Sequence, residues 1–102
     1  MTRPVRWSRA ALDDLKDQLA YIARDNPTAA RDVTARIRLS AKALEELATG
    51  RPGRVGGTYE KPVTRLPYII AYEIKARDGR EAILILRVIH AARDWPPDAW
   101  PK

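Results

Sequence analysis

The dipeptide Asp78-Gly79 constrains this chain more than any other pair of residues. It lies between two β-rich runs, Tyr68 to Lys75 and Ala82 to Ile89, which begin and end within a few residues of it. Asp-Gly supplies the two positive-φ positions that a tight hairpin turn needs, so the two runs are expected to pair antiparallel. If the turn holds two residues, the register follows. Arg77 faces Arg80, Tyr72 faces Ile85 and Ile70 faces Arg87. One face then carries Tyr68, Ile70, Tyr72 and Ile74 with Ile83, Ile85, Arg87 and Ile89. The other carries Ile69, Ala71, Glu73 and Lys75 with Ala82, Leu84, Leu86, Val88 and His90. The last strand is apolar on both faces, which places it centrally with cover on each side.

The first half of the chain supplies that cover. Val5-Arg6-Trp7 is a short extended piece, with Trp7 expected in the core. Ser8 offers an N-cap oxygen to a first helix, and Asp13 and Asp14 lie near that helix's positive end. Leu12, Leu15, Leu19 and Ile22 recur at helical spacing. Asn26-Pro27 is a second cap and first-turn proline, and it predicts a helix from Pro27 to about Ala48. Its apolar stripe is Ala30, Val33, Ile37, Ala41, Leu44 and Leu47, with Gly50 closing it as a left-handed C′ residue. Arg31, Arg36, Arg38 and Lys42 load its solvated side. Two one-sided helices with a short link form a hairpin that must cover an apolar surface. The segment Gly50 to Gly57, GRPGRVGG, reads as a flexible basic loop. Thr58 to Leu66 reads as an irregular edge strand because of Pro62.

The order β-α-α-β-β-β is therefore an α+β domain, a helical hairpin packed on a small antiparallel sheet. One domain is expected over residues 1–102, with the hairpin at about 8–49, the sheet at about 54–90 and a Pro/Trp-rich tail at 94–102. A length of 102 residues suits one modest core. Cysteine is absent, which excludes disulfides and thiolate metal sites, and a single histidine argues against a protein-built metal centre. No apolar run is long enough to span a membrane, and Asp13 and Asp14 interrupt any signal-like segment. The simplest expectation is a cytoplasmic protein without metal or cofactor. Nineteen Lys and Arg against thirteen Asp and Glu give a formal charge of +6. The partners this suggests are nucleic acid or an acidic protein segment, with an ordinary solvated surface as the alternative.

Several blocks now combine. "YIARDNP", "GRPGRVGGTYE", "LPYIIAYEI" and "ILILRVIHAARDWP", in this order between Trp7 and Pro96, resemble ParE-type toxins of the RelE/ParE superfamily, the toxic halves of type II toxin–antitoxin or plasmid-stabilisation modules. Tyr59 departs from the usual Gly-Thr-Arg-Glu of the block that holds it. The resemblance implies a RelE/ParE-like fold and a small toxin neutralised by a cognate antitoxin with an acidic amphipathic segment. It also implies DNA gyrase as target, by analogy with ParE-like members. RelE-like members instead cleave mRNA on the ribosome, and a detoxified relative would only pair with its antitoxin.

Metal-free RNA cleavage needs a proton-transfer group and several cations held together. The candidates are Arg87, His90, Arg54 and Tyr72, with Tyr68 as a further tyrosine. Arg87 and His90 are an odd number of residues apart, so on a regular strand they point to opposite faces. His90 therefore reads first as a strand-ending structural residue and second as catalytic. Arg87 has two readings, a buried pair with Glu60, Glu73 or a carbonyl, and a contact with target or antitoxin. Arg51, Arg54, Lys61, Arg65, Arg87 and Trp95 form the candidate binding set. Trp95 and Trp100 are read as packing on the sheet or anchoring a partner.

Overall fold

The computed structural model describes residues 3–53 and 55–91. Arg54, Trp95 and Trp100, with the rest of the tail, lie outside the described residues. The elements run β1 (Val5–Trp7), α1 (Arg9–Ala23), α2 (Pro27–Ala43), β2 (Arg51–Pro52), β3 (Tyr59–Pro62), β4 (Tyr68–Arg77) and β5 (Arg80–His90). They build a helical hairpin on one five-stranded sheet in the order β1-β5-β4-β3-β2. β3, β4 and β5 pair antiparallel as expected, β2 extends them antiparallel from a segment expected to be loop, and β1 adds to β5 in parallel, Val5 opposite Ile83 and Trp7 opposite Ile85. The last strand is thus flanked on both sides, but β4 holds the middle of the sheet.

Local chemistry accounts for the helix starts. Ser8 sits in the extended region and its side chain accepts from the Ala11 amide, and Asn26 does the same for the Ala29 amide ahead of Pro27. The end of α2 differs from the expectation. It stops at Ala43, and tight turns carry the chain through Glu46, with Leu44 fully buried and Leu47 67% exposed. Gly50 is no helix terminator. With φ +140 it lets the backbone pass so close to β3 that a Cβ there would lie 2.9 Å from the Glu60 carbonyl oxygen. Nor is Gly50 to Gly57 a featureless loop. Arg51–Pro52 pairs with β3, the Gly53 amide donates to the Thr58 carbonyl, and the Thr58 hydroxyl donates to the Val55 carbonyl at 2.6 Å.

The turn Asp78-Gly79 has φ of 54 and 75, as a two-residue turn of this hand requires. Arg77 faces Arg80 and Tyr72 faces Ile85, in the expected register. Beyond Ile85 the expectation fails. Ala71, not Ile70, faces Arg87, and Ile70 faces Val88, because Leu86 is an extra residue in β5. Such a bulge exchanges the faces of everything after it. Val88 joins Tyr68, Ile70, Tyr72, Ile83 and Ile85 in the main core beneath the helices, completed by Ala11, Leu15, Ile37, Ala41 and Leu44, with Trp7 packed at its margin. Ile89 turns instead to Ala71 on the far face, where Val55 and Leu86 pack against them.

Candidate functional site

The bulge is held by α1. As β1 ends, the Ser8 amide donates to the Ile85 carbonyl and the Ser8 hydroxyl to the Leu86 carbonyl. One and a half turns later the Asp14 carboxylate accepts from the Val88 amide at 2.9 Å. The same carboxylate takes the Arg87 fork in bidentate fashion, Nε to Oδ2 at 2.7 Å and Nη2 to Oδ1 at 2.8 Å. These hydrogen bonds raise the Arg87 pKa above its ordinary value, against the opposing effect of burial. Asp14 is thus an ion-pair partner of Arg87, a carboxylate outside the Glu60, Glu73 or carbonyl named for its buried-pair reading. Asp14 lies beyond the first turn of α1, which carries no acidic residue, so its work is this pairing rather than compensation of the helix dipole.

One turn further along α1, Gln18 accepts from the Tyr68 hydroxyl at 2.9 Å. Tyr68 faces His90 across the β4–β5 ladder, and the imidazole meets its ring edge-on, with centroids 5.3 Å apart. The bulge thus brings His90 to the helix-covered face, where a regular strand would have sent it to the other. No irregularity lies between Arg87 and His90. Asp14 and Gln18, which bind these strand residues, are not conspicuous in the sequence. The signal that could have found them is their spacing: both flank the buried Leu15 at positions four residues apart, on the side of α1 turned to the sheet.

The remaining candidates are dispersed. Tyr72 donates its hydroxyl to the Thr49 carbonyl at 2.6 Å, and Tyr59 stacks on it with centroids 5.5 Å apart. Burial pushes both the Tyr68 and Tyr72 hydroxyls up from the ordinary tyrosine range, with Tyr21 and Tyr59 respectively adding to the shift and Arg3 opposing it at Tyr72. Lys61 reaches across to α2 and donates to the Ser40 carbonyl at 3.3 Å, and burial lowers its pKa. Arg65 is exposed in the turn after β3 with φ 63. Arg51 is exposed on β2, three strands from β5, which is about 14 Å across the sheet at ordinary strand spacing. The basic side chains of α2, Arg31, Arg36, Arg38 and Lys42, are all exposed. Leu39 lies among them on α2, 66% exposed, and with Ala43 lines a shallow depression shared with Lys42, Glu45 and Glu46, while Leu47 past the helix end is 67% exposed. Among the described residues no group of His, Asp and Glu is placed to hold a metal ion.

Comparison with known proteins agrees with this geometry. Residues 5–95 match the family model described as "ParE toxin of type II toxin-antitoxin system, parDE". A Sinorhizobium fredii protein named "Putative toxin Y4kP" is 45% identical over 93 residues, covering 90% of this chain and 92% of that protein. The fold superimposes on a chain of the chromosomal ParDE toxin–antitoxin system of P. aeruginosa with a TM-score of 0.76 at 26% identity, covering 87% of this chain and 96% of that one. With its two helices on a bulged five-stranded sheet, this chain belongs to the ParE toxin family of type II toxin–antitoxin modules.

Proposed function

We propose that this toxin stops growth by binding DNA gyrase and that a cognate antitoxin neutralises it by covering its basic and apolar surface. The observation that carries the reading is the engagement of the groups RNA cleavage would need. The Arg87 fork lies on Asp14, the Tyr68 and Tyr72 hydroxyls are held by Gln18 and Thr49, and Arg51 sits about 14 Å from β5. A tyrosine whose pKa is raised by burial is a poorer general base than a free one. A toxin built this way acts through its surface. Exposed Leu39, on α2 with Arg36, Arg38 and Lys42, suits an acidic amphipathic helix, the form expected of an antitoxin segment. Arg51, Arg54, Arg65 and Trp95 remain candidates for contact with target or antitoxin. Such a target puts the toxin in the cytoplasm, and no helix among the described residues is long and apolar enough to cross a membrane.

Purified toxin added to gyrase and relaxed plasmid tests this. The expected result is loss of supercoiling with trapped double-strand breaks, reversed by adding back the antitoxin. Folded toxin that arrests growth yet leaves gyrase untouched, while cutting mRNA on programmed ribosomes, would refute it in favour of the nuclease. Folded toxin that binds antitoxin without arresting growth would make it a detoxified relative.

A further inference from the structure

The sheet has a face turned away from the helices, and the register assigns its residues. Pairing partners share a face, so Lys75 with Ala82, Arg77 with Arg80 and Arg6 with Leu84 stand together on it, next to Glu73. Among the described residues, β4 and β5 have no third strand beyond Tyr72 on one side and Val5 on the other, and Lys75 to Ala82 continues as a two-stranded ribbon. Arg6, Lys75, Arg77 and Arg80 are all exposed. Lys75 meets Glu73 at 3.3 Å, while Arg6, Arg77 and Arg80 have no ion-pair partner among the described residues. Glu81 belongs to the helix-side face and is bound by Arg3 at 3.0 Å, leaving Asp78 in the turn as the other nearby carboxylate.

Arg77 opposite Arg80 breaks a local rule. Like charges directly across a ladder lie about 5.5 Å apart at Cα and destabilise the hairpin. Departures of this kind are expected at functional or strained sites, and an anionic partner would relieve this one. The partner must be an anion with closely spaced charges.

We infer that this basic ribbon face is a binding site for the phosphate backbone of duplex DNA. A two-stranded β-ribbon is narrow enough to enter the major groove, and arginine forks suit phosphate oxygens. Single-stranded nucleic acid fits less well, because Trp7, Tyr59, Tyr68 and Tyr72 are on the helix-covered face and leave no stacking platform here. An amphipathic peptide fits less well too, since the ribbon itself offers half-buried Leu84 and Ala82 as its apolar anchors on this face, and Leu86 farther along β5 packs with Ala71 and Ile89. Contact of this kind is the toxin's own with DNA and stands whether or not gyrase is its target.

The test is fluorescence anisotropy of a labelled duplex titrated with the full chain between about 50 and 200 mM salt. Three to four phosphate contacts predict that affinity falls roughly 40- to 150-fold over that range. Arg77→Ala/Arg80→Ala should bind more weakly at low salt and lose only about 4- to 12-fold, since two contacts are gone. Arg6→Ala should lower the salt exponent by about 0.9 on its own. Arg36→Ala/Arg38→Ala removes the same charge from α2 and should leave the wild-type salt response intact. Circular dichroism should show all of these variants folded, their positions being exposed. A loss in the α2 variant equal to that in the ribbon variant would overturn the site and reduce it to net charge. An unchanged slope in both ribbon variants would overturn it as well. So would preference for polyglutamate over the duplex at equal charge, which would make the face a dock for an acidic chain.

Discussion

Replacing Asp14 with alanine removes three acceptor contacts at once, and its cost can be worked from the geometry. The carboxylate and the guanidinium of Arg87 are 13% and 16% exposed, so neither rehydrates freely. Breaking a buried ion pair by deleting one partner costs about 3–5 kcal/mol, much of it from the stranded charge. The Val88 amide loses its acceptor too. Because both groups keep some solvent contact, the low end applies, about 3 kcal/mol. For a domain of this size that is a fall in melting temperature of roughly 12–24 °C. Urea unfolding followed by circular dichroism measures it, with Asp13→Ala as the control. Asp13 meets Arg9 only at 3.6 Å on an exposed surface, and its loss should cost less than about 0.5 kcal/mol. Asp14→Ala/Arg87→Leu removes the stranded charge and should recover at least about 1.5 kcal/mol relative to additivity. If Asp14→Ala comes within about 1 kcal/mol of Asp13→Ala, or the double variant is additive, the Asp14–Arg87 pair does not hold the bulge.

Two further outcomes follow from the same structure. Gly50→Ala should destabilise by about 2 kcal/mol or more, since φ is +140 and the new Cβ meets the Glu60 carbonyl, whereas Gly56→Ala, with open space around it, should stay within about 0.5 kcal/mol. Equal midpoints in urea would refute the close approach. Tyr68 and Tyr72 have folded pKa values raised above 10.0, so the native state holds their protons longer than the unfolded chain. Stability is then full below about pH 10 and falls as pH rises through the folded values. Lys61, lowered from 10.5 by burial, contributes in the opposite sense over its own window. Tyr72→Phe should cost about 1 kcal/mol at neutral pH through its lost bond to Thr49 and should flatten the alkaline fall. An unchanged slope between about pH 9 and 11 would refute the assignment.

What could be read from the chain alone was whatever short-range chemistry dictates. Ser8 and Asn26-Pro27 start the helices because a side-chain oxygen or a fixed φ acts within three residues. Asp78-Gly79 sets the hairpin because only the turn's own backbone must accept positive φ. Those signals, with the apolar runs, were enough for the α+β fold and for the register as far as Ile85.

Tertiary structure decided the rest. No glycine marks Leu86 as the extra residue; the bulge is held by Ser8 and Asp14, more than seventy residues earlier in the chain. That one irregularity sent Val88 to the core, Ile89 to the far face and His90 to Tyr68. The end of α2 at Ala43, the pairing of Arg51–Pro52 and the parallel addition of β1 depend likewise on distant neighbours. Sequence periodicity carries no information about which carboxylate will reach an arginine buried in a strand. The choice of Asp14 for Arg87 exists only once α1 has packed on β5, because a side-chain ion pair is selected by three-dimensional reach and desolvation rather than by spacing along the chain.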